Sequence, residues 1–141
     1  MAADFADVPL FSELSYQDLA LGQRFGPFTE SLDQAVSDEL RGPIGSSTPG
    51  DSAPLGVLPL VTLRALRRSM NGIVAGGVLA RQTFSVLDEL PAAGDIDIDV
   101  WVSAQQQRPS GFYTTFTFAL SHDGLPRAIV EWMILAPRET A

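Results

Sequence analysis

The stretch from Leu55 to Met70 limits what this chain can become more than any other. Leu55, Leu58, Leu63, Leu66 and Met70 return at steps of three to five residues, and Val57, Leu60 and Val61 widen that face until apolar surface nearly encircles the segment. A helix that is apolar on almost every side must be buried. Pro59 is tolerated only in a first turn, where its missing N–H has no intrahelical partner to lose, so the helix is expected to start at Val57 or Leu58. Arg64, Arg67 and Arg68 gather in its last turns, where positive charge suits the helix dipole, and Asn71 with Gly72 supplies the stop. With 141 residues the chain has room for one domain and one core, so the remainder has to cover this helix.

The cover is a run of strands. Val78 to Leu87 reads as the first, and Pro91, Ala92, Ala93 and Gly94 form the turn after it. Ile96, Ile98, Val100 and Val102 then alternate with Asp95, Asp97, Asp99, Trp101 and Ser103, a period of two that a helix cannot use. Pro109, Ser110 and Gly111 turn the chain into a strand from Phe112 to Leu120, with Phe112, Thr114, Phe116, Phe118 and Leu120 on one face. His122, Asp123 and Gly124 make the next hairpin. Ala128 to Leu135 is expected to close the sheet. It is apolar on both faces except at Glu131, which suits a sheet that continues across a dimer seam or is covered by a neighbour. The fold class expected is α+β, one long antiparallel β-sheet wrapped around one central α-helix.

Before the helix the pattern is weaker. Residues 1–21 read as an extended arm with a turn. Gln23 to Glu30 carries Phe25 and Phe28 around Gly26 and Pro27, a short strand that the proline confines to an edge or a bulge. Ser31 is expected to cap a short helix, because Leu32, Ala35, Val36 and Leu40 recur at helical spacing before Gly42 and Pro43. Gly42 to Pro54 holds three prolines, three glycines and three serines, the composition of a loop.

Composition narrows the partners. The absence of cysteine excludes disulfides, thiolate zinc sites and a cysteine nucleophile, and it suits a reducing compartment, so the cytoplasm is expected. Met1 to Phe5 gives neither the basic start nor the apolar run of a signal peptide. A net charge of -8 repels phosphate backbones and anionic lipid, so neither nucleic acid nor membrane is expected as a partner. Hydrophobic content of 45% with only 18% charged residues exceeds what one small core hides, and self-association as a homodimer or higher oligomer follows.

Three stretches carry a family likeness. They are Tyr16-Gln17-Asp18-Leu19-Ala20-Leu21-Gly22-Gln23-Arg24-Phe25; Gly76-Gly77-Val78-Leu79-Ala80-Arg81-Gln82-Thr83-Phe84 with Leu90-Pro91-Ala92-Ala93-Gly94-Asp95 after it; and the turn His122-Asp123-Gly124-Leu125-Pro126. In this order and spacing they resemble the MaoC-like dehydratase and hydratase branch of the hot-dog fold, over residues 16–137. Residues 1–15 are then an N-terminal arm and 138–141 a C-terminal tail. The resemblance implies a protein that binds an acyl thioester, of coenzyme A or a carrier protein, in a tunnel between protomers. The reaction it implies is hydration of an enoyl thioester or the reverse dehydration.

Active members of that family carry Gly-Asp-x-Asn-Pro-x-His before the central helix, where Asp and His manage the proton and the water. Gly50-Asp51-Ser52-Ala53-Pro54-Leu55-Gly56 keeps the Gly, Asp and Pro, but Ala53 replaces the Asn and Gly56 stands in place of the His. Glycine has no group that moves a proton, so Asp51 is the remaining acid/base candidate. Its alternative is an ordinary loop aspartate. The backbone N–H groups of Gly56 and Val57, at the helix start, are the candidate oxyanion donors; Gly56 otherwise only permits a tight turn into the helix. Pro54 and Leu55 are expected to bind substrate, together with Arg81 and Gln82, which either line the groove or touch a coenzyme A phosphate, or serve surface or dimer packing.

No cofactor and no metal are expected, since coenzyme A or the carrier arrives as part of the substrate. Asp95, Asp97 and Asp99 share one strand face with no histidine beside them, and a solvated face accounts for them. His122, the one histidine, sits beside a hairpin turn as a solvated residue. Trp101 and Trp132 read as sheet packing or interface aromatics. Two other functions stay open. A non-catalytic or partner-dependent subunit, pairing with another hot-dog protein, fits the missing His. An acyl-CoA thioesterase needs a carboxylate on or near the central helix, and Val57 to Met70 contains no Asp or Glu.

Overall fold

The computed structural model describes residues 12–41, 53, 56–72 and 76–136. In chain order they form a 3-10 turn (Tyr16–Asp18), strand β1 (Arg24–Leu32), helix α1 (Gln34–Arg41), helix α2 (Val57–Met70) and strands β2 (Val78–Val86), β3 (Gly94–Arg108), β4 (Gly111–His122) and β5 (Leu125–Ala136). The strands make one sheet in the order β1-β3-β4-β5-β2, and all four pairings are antiparallel. The α+β reading is thus what the molecule adopts: α2 lies against one face of a five-stranded antiparallel sheet, with its closest neighbours on β1 and β3.

The helix-covered face follows from the period of two. Ile98, Val100 and Val102 of β3, on the same face as Ile96, pair across to Leu120, Phe118 and Phe116 of β4, and these in turn to Ala128, Val130 and Trp132 of β5. All are buried, in the same core cluster as Val57, Leu58, Val61, Ala65 and Met70 of α2. The two buried hydroxyl side chains near the helix cost little, because Thr62 donates to the Leu58 carbonyl at 2.7 Å and Ser37 of α1 donates to the Ala92 carbonyl at 2.7 Å. Asn71 takes the left-handed conformation (φ 53, ψ 49), and Gly72 N–H returns to the Arg67 carbonyl at 2.8 Å. The helix therefore ends where the Asn-Gly pair predicts.

Three expectations need correction. Ser31 caps no helix: β1 runs through it to Leu32, Ser31 Oγ donates to Asp95 Oδ1 at 2.9 Å, and Leu32 is buried as a strand residue. The side-chain acceptor at the start of α1 is Asp33, whose Oδ1 takes the Ala35 N–H at 2.8 Å. The helical spacing misled because one alternate position of a strand and one face of a helix can share Leu32. Nor does the last strand close the sheet. β5 lies between β4 and β2, its inward residues Ala128, Val130, Trp132 and Ile134 are buried while Ile129 on the other face is 38% exposed, and the edges of the sheet are β1 and β2. Finally, the arm is not merely extended: Tyr16 and Leu19 are buried in the core, Ser12 donates to the Met70 carbonyl at the end of α2, and Gln105 Nε2 donates to the Leu19 carbonyl at 2.7 Å.

A buried ion cluster joins α2 to β1. The inward parity of β1 runs Phe28, Glu30, Leu32, so Glu30 points under the helix and is only 1% exposed. Arg68 Nε lies 3.0 Å from Glu30 Oε1, and Arg64 Nη1, itself buried, lies 4.0 Å from Oε2. Positions 64 and 68 are one helical turn apart, so both guanidinium groups reach the same carboxylate. Removing the charge of a buried partner strands the others, and Glu30→Gln is expected to destabilise the fold by roughly 3 kcal/mol. Guanidinium chloride unfolding checks this; a loss within about 0.5 kcal/mol, the range of an ordinary surface change, would mean that the cluster does not hold the helix.

Candidate functional site

The start of α2 has the features an oxyanion-binding helix needs. Gly56 is its N-cap with φ -60 and ψ -15, no side chain among the described residues caps it, and no acidic residue lies in the first turn. The first N–H groups of a helix have no intrahelical partner and carry the positive end of its dipole. Pro59 has no N–H, so Val57 and Leu58 supply the leading donors. The dihedral angles of Gly56 are ordinary right-handed ones, so its conformational freedom is not what the position uses.

Of the residues expected to complete this site, Asp51, Pro54 and Leu55 lie outside the described residues. Ala53, standing where the family's Asn would be, is buried, and its N–H donates to the Leu90 carbonyl at 2.7 Å. Ala53 is thus tied to the stretch between β2 and β3. Arg81 and Gln82 part company. The bulge between Leu79 and Arg81 sets Gln82 opposite Trp132 on the helix-covered face, while Arg81 opposes Met133 on the other face. There Arg81 lines a shallow groove with Thr83, Thr115, Glu131 and Met133, on the side of the sheet away from α2.

A second concavity opens at the far half of α2. Leu63, Leu66, Arg67 and Met70 form one wall, Leu79, Trp132 and Ile134 the other, and Tyr16 with Gly77 its end; the volume is about 180 Å³. Gly77 has to be a glycine here, because a Cβ would lie 2.6 Å from the Tyr16 ring and hydroxyl. Trp132 meets Phe118 edge to face at 6.0 Å between centroids.

The remaining polar candidates sit elsewhere. His122 Nδ1 is 2.8 Å from the Asp95 carbonyl and Nε2 is 3.3 Å from Asp123 Oδ2, which holds the ring at the β4–β5 hairpin. Asp97 accepts from Thr29 at 3.0 Å, as Asp95 does from Ser31. Arg24 lies over the Trp101 ring, 5.8 Å from its centroid.

No protein-family model matches the chain, and no curated protein sequence does. Solved structures do. The R-hydratase PhaJ1 from Pseudomonas aeruginosa, unliganded, superposes with a TM-score of 0.66 at 16% identity, covering 88% of this chain and 86% of that one. The MaoC-like dehydratase from Rhodospirillum rubrum gives 0.68 at 17% identity, over 90% and 99%. The HadBC complex from Mycobacterium tuberculosis, a 3R-hydroxyacyl-ACP dehydratase, gives 0.70 at 11% identity, over 82% and 96%. The chain has the hot-dog fold.

Within this hot-dog domain, sequence reasoning missed two things. One is the carboxylate beside the central helix: it comes not from α2 but from β1, as Glu30. Its burial and its two arginines make it a clamp, with no exposed oxygen edge for a hydrolytic base. The signal was available, since Glu30 occupies an inward position between Phe28 and Leu32. The other is the cavity ending on Tyr16, for which no sequence motif exists because its walls come from four separate segments. No helix among the described residues is long and apolar enough to cross a membrane.

Burial pushes the Tyr16 hydroxyl above its ordinary pKa of 10.0. The folded state therefore holds this proton more tightly than the unfolded chain, so the contribution is intact below about pH 10 and is lost as pH rises through the folded-state pKa. Tyr16→Phe is expected to flatten that alkaline loss of stability, measured by denaturant unfolding at stepped pH. An unchanged alkaline slope in the variant would contradict the assignment.

Proposed function

We propose that this protein is a MaoC-like hot-dog protein that binds an acyl thioester, of coenzyme A or a carrier protein, at the start of its central helix. The observation that carries the reading is the bare helix start: Gly56 without a side-chain cap, no acid in the first turn, and donors at Val57 and Leu58. Charge that develops on a thioester oxygen is stabilised by such preorganised N–H groups in a site shielded from water. The structural relatives described as hydratases and dehydratases support the same class, and Pro54, Leu55 and Gln82 remain the candidates for acyl contacts. Arg81, on the opposite face, would meet a phosphate only from a different protomer.

For the proton chemistry, Asp51 is the one candidate within the inherited motif. The reaction would be addition of water across the enoyl double bond or its reversal, with Asp51 taking or giving the proton. A specific observation favours a second reading, in which the chain is a partner-dependent subunit. Its only histidine is fixed at the β4–β5 hairpin, so no imidazole of this chain serves the helix start. An intact hot-dog protein would then supply the catalytic pair.

Assembly would run along β2. This edge strand is exposed almost throughout, and Val78, Leu79, Phe84, Val86 and Leu87 leave large apolar side chains in the open there. Edge strands with such surface pair with another copy unless something covers them.

One set of measurements tests these readings together. The purified chain is expected to bind crotonyl-CoA by calorimetry and to sediment as a dimer, and Phe84→Lys with Val86→Lys should release monomers. Hydration followed by loss of the enoyl absorbance, abolished in Asp51→Asn, marks the chain as the enzyme. Binding without turnover, with activity appearing only beside a histidine-bearing hot-dog hydratase, marks it as the subunit. No thioester binding in either setting sinks the proposal.

A further inference from the structure

β2 is an edge of the sheet, and assembly along it leaves open which of its residues face which. The faces limit the choice. Directly opposite residues of two antiparallel strands project to the same face, so a two-fold axis relating β2 to its copy places one residue opposite itself. On the outer face, away from α2, β2 carries Arg81 and Thr83, and β5 beside it carries Met133 opposite Arg81 and Glu131 opposite Thr83. Arg81 and Glu131 are exposed, line one groove with Thr83, and have no ion-pair partner among the described residues.

Three positions of the axis keep most of the strand paired. An axis at Arg81 sets two guanidinium groups directly opposite each other, an arrangement that costs stability. An axis at Thr83 puts Arg81 opposite Ser85 of the second copy, in a row that continues to Ile129, and aligns the two Glu131 carboxylates in one row. An axis at Gln82 does something different. It sets Arg81 opposite Thr83 of the second copy, and the next position in that row is the second copy's Glu131. Two strand spacings, about 10 Å, separate those backbones, and the long side chains of arginine and glutamate close the gap over a threonine. Gln82 is also the middle residue of Val78–Val86, so this axis gives the longest overlap, interrupted by the bulge between Leu79 and Arg81.

We propose that two copies of this chain pair along β2 in an antiparallel register centred on Gln82, with Arg81 of each copy ion-paired to Glu131 of the other. The inference rests on the assembly along β2 set out above and is independent of any thioester. One chain carries both charges, so the contact is self-complementary and is made twice. A different hot-dog chain would match it only by bringing a base and an acid at the same two positions. The seam therefore selects the chain's own copy.

The chain has no cysteine, so single cysteines report the register directly. In the proposed register Gln82→Cys stands opposite its own copy at the Cα separation of an antiparallel pair, about 4.5–5.5 Å, which a disulfide spans. Arg81→Cys and Thr83→Cys lie about 7–8 Å from their own copies, too far to bridge. Mild oxidation of the full chain is expected to crosslink Gln82→Cys into a dimer and to leave the other two largely uncrosslinked on a denaturing gel. Charge reversal gives a second reading, by sedimentation. Arg81→Glu and Glu131→Arg are each expected to weaken the dimer about tenfold. An equimolar mixture of the two should restore it, because each contact then joins opposite charges again. Crosslinking strongest at Arg81→Cys or Thr83→Cys, or a mixture no tighter than either variant alone, overturns the register. If Phe84→Lys with Val86→Lys still releases monomers in that case, the β2 edge stands and only the register falls; a native chain that stays monomeric removes the assembly itself.

Discussion

Val57, Val61 and Ala65 have no exposure at all because the inner residues of β3 and its neighbours meet them side chain to side chain. Everything else in the molecule depends on this contact between the apolar side of α2 and one face of the sheet. Each fully buried aliphatic side chain of that kind contributes about 1.5–3 kcal/mol, against a net stability of about 5–15 kcal/mol for an ordinary domain. A handful of such residues decides whether the fold exists. The same contact fixes the direction of α2, and with it the place where the uncapped N–H groups of Val57 and Leu58 emerge. Glu30 adds orientation to burial: apolar packing alone tolerates sliding, whereas one carboxylate held by Arg64 and Arg68 fixes the rotation and register of the helix over β1.

Much of this was legible before any coordinates. The encircling apolar surface of Val57 to Met70, the alternation from Asp95 to Ser103 and the Asp123-Gly124 turn each have one physical reading, and each element formed as read. The proline in the first strand did mark an edge strand, with an irregular register between Phe25 and Phe28. What failed did so where two periods overlap or where chain order says nothing about neighbours. Leu32 suited both a strand and a helix, and Ser31 was mistaken for a cap while Asp33, two residues on, does that work. That β2 is the other edge could not be read, because β2 precedes β3 in the chain but pairs with β5 in space. Among the site residues, Gly56 and Val57 were visible as a helix start, and Arg81 and Gln82 as a strand start. That the latter two face opposite ways is the ordinary alternation of a strand; which of them faces the helix is set by a bulge at Ala80 that nothing in the local sequence announces.

The edge strand β2 leaves backbone and apolar side chains uncovered, as expected of a chain that pairs with another copy. The missing imidazole is of another kind, because it concerns chemistry and not packing. A domain can keep the helix, the sheet and the bare helix start that shape an acyl site while leaving the proton transfer to a partner. Under the proposed subunit reading, such a separation would let a chain keep the hot-dog architecture, at 16% identity to an R-hydratase, without a histidine at the helix start.

The claim on which the function rests is that the leading amides of α2 polarise a bound thioester. Difference infrared spectroscopy on the native chain with hexanoyl-CoA, isotopically labelled at the thioester carbonyl carbon, reads that interaction directly. The carbonyl stretch of the bound ester should move to lower frequency than in water, as expected when two fixed N–H groups draw electron density toward the oxygen. A bound thioester whose carbonyl stretch stays at its aqueous position, or rises toward that of an apolar solvent, would contradict the account.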